Sequence, residues 1–148
     1  MRKQFRRIGT GSWLVLAATV AVGVVLVRLA GAEAPQGKSQ TQDRRMAMAE
    51  FEPLQARKSV LVIDVRDEMS FANGHIPGAM HVPVREVASQ LAAVRRASKG
   101  RLIVTYCSCP TEASSLRAAG ELSDAGLTAR ALVGGFPKWV EAGGAIEK

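Results

Sequence analysis

Two cysteines, Cys107 and Cys109, stand one residue apart, and the 148 residues contain no others. They cannot form a framework that staples a small fold, so the interest of the pair is chemical. A thiol acts as a nucleophile only when ionised, and what precedes and follows it decides how readily it ionises. Leu102–Tyr106, directly before Cys107, reads as a buried strand, and residues 112–125 read as a helix. Only six residues, Cys107-Ser108-Cys109-Pro110-Thr111-Glu112, join them. Such a strand–loop–helix turn points backbone N–H groups and the positive end of the helix dipole into the loop. A thiol there is expected to have a lowered pKa and to exist partly as thiolate. The alternative is a buried, inert cysteine, and the strand-end position alone does not choose between the two.

The elements that must hold this loop follow from the apolar pattern. Val60-Leu61-Val62-Ile63 and Leu102-Ile103-Val104 are continuously apolar runs that suit parallel strands covered on both faces, and residues 129–133 are a weaker third. Between them, Val84, Val87, Ala88, Leu91 and Val94 follow helical spacing over 84–97, and Leu116, Ala119 and Leu122 share one side of 112–125. Gly126 suits the position just past that second helix, with Leu127 folding back. A last short helix is expected near Pro137. Alternating strands and helices predict an α/β sandwich around a parallel sheet. In such sheets ligands bind beyond the carboxyl ends of the strands, where Cys107 stands.

From about Arg45 to its C-terminus the chain resembles the rhodanese-like domain. The resemblance is carried by Leu61-Val62-Ile63-Asp64-Val65-Arg66, Gly74-His75-Ile76-Pro77-Gly78-Ala79, Val104-Thr105-Tyr106-Cys107, and Gly134-Gly135-Phe136 with Trp139, in that order. It implies a parallel five-stranded sheet flanked by helices. It also implies sulfane-sulfur transfer through a persulfide on Cys107, with Ser108 to Glu112 as the substrate-binding loop. The loop departs from the usual pattern. Pro110 stands where a glycine is usual and removes one N–H donor from the cradle. Glu112 stands where a basic or hydroxyl residue is common, adding negative charge where thiosulfate would dock. Ser70 replaces a common glutamate, leaving Arg66 without its usual partner. These departures are expected to weaken thiosulfate turnover. The Cys-x-Cys-Pro-x-Glu loop is similar to that of bacterial rhodanese domains associated with membrane proteins.

The supporting residues also have physical readings. Asp64 ends a buried strand, where a carboxylate is costly unless hydrogen-bonded, and is expected to brace nearby loops with Arg66. His75 invites a general-base role, but two glycines and a proline around it point to a tight structural connection. Gly134-Gly135 is expected to allow close backbone approach or positive φ, and Trp139 to anchor the core.

The N-terminal part reads differently. Ile8–Val27 is 20 residues without a charge, about 30 Å as a helix and enough to span a bilayer core. Residues 1–32 are expected to be a transmembrane anchor or a cleaved signal peptide, 33–45 a polar linker, and 46–148 the folded domain. Arg2, Lys3, Arg6 and Arg7 before the apolar run favour a cytoplasmic N-terminus. The domain is thus expected outside the cytoplasm, membrane-anchored through residues 8–28 or periplasmic after cleavage, with a membrane-protein partner in view. Residues 1–45 hold eight Lys/Arg against Glu33 and Asp43, so +6 of the net charge of +7 lies there. The folded part is nearly neutral, which argues against nucleic acid as a partner.

Three functions compete on these grounds. One is a sulfurtransferase taking sulfur from a small donor to a thiol acceptor. Another is a thiol–disulfide redox protein using Cys107 and Cys109. The third is a non-catalytic binding or sensing module, since fold does not dictate function. A phosphatase of related fold would need an arginine at the loop's end to grip phosphate, but Glu112 and Ala113 stand there. Two thiols at this spacing lack further ligands for a metal, and no cofactor is expected.

Overall fold

The computed structural model describes residues 44–148. The expected anchor or signal segment, and the linker as far as residue 43, lie outside the described residues.

Five parallel strands form one sheet: β1 (Arg45–Met46), β2 (Val60–Asp64), β3 (Met80–His81), β4 (Leu102–Tyr106) and β5 (Ala129–Leu132), in the order β1-β5-β4-β2-β3. The two long apolar runs are the central pair, β2 and β4, in register from Val60 against Leu102 to Asp64 against Tyr106. Their side chains alternate between two buried faces. Leu61, Ile63, Ile103 and Cys107 enter one core, and Val60, Val62, Val104 and Tyr106 the other.

Helices cover both faces. On the Cys107 side lie α3 (Val87–Ser98), entered through a 3-10 turn at Val84–Glu86, and α4 (Ala113–Asp124). Val87, Val94, Ala119 and Leu122 pack from them onto the sheet, as their spacing predicts, joined by Ala118, whereas Ala88 faces solvent. The end of α4 follows the expected glycine motif: Gly126 has φ +78°, its N–H reaches Ser123, and the Leu127 N–H returns to Leu122. On the other face lie α1 (Met48–Ala56) and α5 (Gly135–Glu141), contributing Phe51 and Trp139 in edge-to-face contact. The remaining helix, α2 (Glu68–Asn73), is one short segment capped by Asp67.

The domain starts earlier than its polar sequence suggests. Arg45 pairs with Ala131 in β1, the Ala131 N–H donates to the Arg44 carbonyl, and the Arg130 guanidinium donates to the Arg45 carbonyl. Arg44 and Arg45 make these contacts through their main chain, so only Met46, fully buried, carries an apolar signal.

Candidate active site

β4 delivers Cys107 to the carboxyl end of the sheet, where its side chain is 3% exposed. The loop that follows turns at once, with the Glu112 N–H donating to the Cys109 carbonyl at 3.1 Å. The Cys109 N–H points back at the Cys107 Sγ, 3.4 Å away. The Ser115 hydroxyl, in the first turn of α4, lies 3.6 Å from the same sulfur and 3.1 Å from the Glu112 carbonyl, and can donate to either. Cys107 and Cys109 are joined as a disulfide, with Cα atoms 5.7 Å apart.

The loop is clamped from behind. The Phe136 N–H donates to the Cys107 carbonyl at 2.9 Å, and the Gly134 N–H donates to the Glu112 carboxylate at 3.0 Å. Gly134 and Phe136, on either side of Gly135, thus hold both ends of the six-residue loop, and Gly134 and Gly135 both have positive φ, as expected. The expectation that Glu112 charges the mouth of the loop is corrected here. Its carboxylate is buried, paired with Arg45 at 3.4 Å and with Gly134. Glu112 itself has φ +53°, an uncommon conformation for a side-chain-bearing residue. That turn sends its side chain to these two partners.

Asp64 and Arg66 form the brace predicted for them. The Arg66 guanidinium donates to both Asp64 carboxylate oxygens through Nε, at 3.0 Å each, and to the Gly74 carbonyl at 2.7 Å. It lies 4.1 Å from the centre of the Phe136 ring, a cation–π contact. Burial alone would lower the Arg66 pKa, but the Asp64 carboxylate outweighs it and the net shift is upward. Arg66 therefore does not lack a partner because position 70 is serine. The Ser70 N–H and hydroxyl instead bind Asp67, holding its carboxyl below the ordinary range.

His75 is tied into its surroundings by structural contacts. It forms a two-way main-chain bridge with Glu147, its ring Nδ1 donates to the Phe71 carbonyl at 3.1 Å, and the ring stacks on Phe71. Phe71 also stacks on His81, which hydrogen-bonds the Arg66 carbonyl at 3.0 Å. Only the tertiary structure brings this second histidine to the site's support.

The two cysteines open onto a cleft of about 350 Å³. Val65, Pro83 and Val84 form its apolar side, and Ser70, Ser108, Ser114 and the exposed Arg85 its polar rim. A larger groove of about 660 Å³ lies beside Gln55, Pro77 and Trp139. It contains no thiol, so the smaller cleft is the candidate site. Arg85, Ser114 and Ser115 are not singled out by the sequence reading. Among them Arg85 alone carries a signal, as a cation two residues after Pro83. Among the described residues no cluster of His, Cys, Asp or Glu is arranged to hold a metal.

Residues 47–142 match the rhodanese-like domain family. The chain belongs to it. The rhodanese-like domain is 34% identical over 102 residues to the HTH-type transcriptional regulator Rv0324 of Mycobacterium tuberculosis, in a match spanning 66% of this chain but only 42% of that relative. Among solved structures, BH2092 of Bacillus halodurans has 25% identity and a TM-score of 0.65, covering 74% of this chain and 80% of that one. The human single-domain sulfurtransferase TSTD1 has 27% identity and a TM-score of 0.57, covering 66% and 96%.

Proposed function

We propose that this rhodanese-like domain takes a sulfane sulfur from a small donor onto Cys107 and passes it to a thiol acceptor. The observation that carries this reading is the surroundings of the Cys107 sulfur in its reduced form. It would lie between the Cys109 N–H, the Ser115 hydroxyl and the amino end of α4, all of which favour a thiolate, and face a cleft that admits a small molecule. The Cys107 thiolate attacks the outer sulfur of R–S–SH. The S–S bond breaks, RS⁻ leaves, and Cys107 holds the persulfide. An acceptor thiolate then attacks the terminal sulfur and releases Cys107. Arg85, on the cleft's rim, meets the negative group of an anionic donor. The sulfurtransferase name of the human relative supports the reading.

The test is sulfur transfer from glutathione persulfide, and from thiosulfate, to a small thiol by the reduced domain. Cys107→Ser is expected to abolish transfer from both donors. Undiminished transfer by that variant would remove Cys107 from the mechanism.

A second reading, thiol–disulfide exchange without sulfane sulfur, is favoured by the Cys107–Cys109 disulfide. It predicts that the domain oxidises or reduces partner thiols while persulfide donors leave it unmodified. We also propose that the domain acts outside the cytoplasm, on the strength of the uncharged Ile8–Val27 run and the basic residues before it. A reporter fused after Lys148 should be active only in the extracytoplasmic compartment, and cytoplasmic activity would overturn that placement.

A further inference from the structure

A sulfur carried on Cys107 has a neighbour within reach that can displace it. We propose that Cys109 is a resolving thiol, which attacks the Cys107 persulfide, forms the Cys107–Cys109 disulfide and releases sulfide. The domain would then reduce sulfane sulfur as well as carry it. This inference rests on sulfur uptake by Cys107 as proposed above.

Three observations carry it. The loop brings the Cys109 sulfur onto the Cys107 sulfur, since the two are bonded across Ser108 with Cα atoms 5.7 Å apart, inside the range that a disulfide needs. The geometry required for attack is therefore one the loop adopts. Pro110 follows Cys109 directly. A residue before proline is confined largely to extended conformations, which narrows the loop's alternatives. The two sulfurs are also unequally placed: Cys107 is buried and Cys109 only partly so.

The step balances. The Cys109 thiolate attacks the inner sulfur of Cys107–S–SH, a Cys109–Cys107 bond forms, the bond to the terminal sulfur breaks, and HS⁻ leaves. The terminal sulfur gains two electrons and becomes sulfide, while the two cysteine sulfurs are oxidised to the disulfide. Turnover then needs a dithiol reductant. Its thiolate reaches the more exposed Cys109 sulfur first, and Cys107 leaves as thiolate toward the Cys109 N–H and the Ser115 hydroxyl. A stabilised leaving thiolate speeds that exchange. The reductant's second thiol releases Cys109 and becomes oxidised in turn.

The experiment is a single turnover of the full chain, reduced, freed of reductant and mixed with an equimolar amount of glutathione persulfide. Released sulfide and intact mass are followed together. The wild type is expected to release sulfide and to end about 2 Da lighter, as the disulfide. Cys109→Ser and Cys109→Ala are expected to release none promptly and to end about 32 Da heavier, as the Cys107 persulfide. A wild type that holds the heavier mass as long as the Cys109 variants do would overturn the resolving role while leaving uptake intact. If neither the wild type nor a Cys109 variant gains sulfur or releases sulfide, uptake itself fails and the resolving role fails with it. The wild-type result does not depend on any variant folding.

Discussion

Gly135 lies against the main-chain carbonyl of Cys107, so close that a Cβ on residue 135 would overlap the carbonyl oxygen. The turn entering α5 is thereby the back wall of the loop that begins at Cys107. Gly135 also has φ +50°, a region unfavourable to residues with a Cβ. Gly135→Ala is expected to lower stability by roughly 1–3 kcal/mol and to slow sulfur uptake by displacing Cys107. Gly126→Ala is the control. Gly126 has φ +78° and open space where a Cβ would go, so this change should lower the unfolding midpoint modestly and leave uptake unaltered. Equal uptake by the two variants would mean that the Gly135 contact does not position the thiol.

Glu112 ties the far end of the loop to Gly134 and Arg45. Removing its side chain leaves the Gly134 N–H without its partner and Arg45 without its carboxylate. Glu112→Ala is expected to cost about 1–3 kcal/mol in chemical denaturation and to lower transfer from every donor. Glu112→Gln keeps an oxygen for Gly134 and should lie between the two. A rise in thiosulfate kcat/KM in either variant would restore the view that Glu112 repels anions at the cleft.

Asp64 and Arg66 form a buried ion pair, with Asp64 fully enclosed. Removing one partner strands a charge among Tyr106, Phe136 and the Gly74 carbonyl. Asp64→Ala is expected to destabilise the domain by about 3 kcal/mol or more. The double variant Asp64→Leu/Arg66→Met should lose less than the sum of the two single losses, because neither charge remains unpaired. Additive losses in denaturant melts would show that the pair is not coupled.

Tyr106, the chain's sole tyrosine, gives a spectroscopic handle. Burial, with the Asp64 carboxylate nearby, pushes its phenol far above the ordinary value of 10.0. Its hydroxyl accepts the Ile76 N–H at 3.1 Å. Above pH 10 the unfolded chain loses the phenolic proton and the folded one keeps it. The folded state then binds more protons, so stability falls as pH rises. This one group should contribute a loss of up to about 1.4 kcal/mol per pH unit. Tyrosinate absorbance should therefore appear with unfolding and not before it. Ionisation near pH 10 with the fold intact would contradict the burial of this ring.

The sequence by itself was enough for the central layer of the fold and for placing Cys107 at the carboxyl end of its sheet. Continuous apolar runs at Val60–Ile63 and Leu102–Val104, with helical spacing over 84–97 and 112–125, require a covered parallel sheet, because each element must bury the face it displays. The end of one run then puts Cys107 where such sheets bind ligands. The short pieces were not legible. β1 and β3 have two residues each, and backbone pairing with a neighbour already in place decides them. α1 contains Pro53 and buries only Phe51, so its pattern argues against the helix it forms. The direction of Glu112 was misjudged for a related reason. A carboxylate three residues after Cys109 looks like a charge at the loop mouth, but a positive φ at Glu112 turns it toward Arg45 and Gly134, which are 67 and 22 residues away in sequence. Spacing along the chain reports local periodicity. Which distant donor meets a buried charge is decided only when the layers pack and each buried polar group must find a partner.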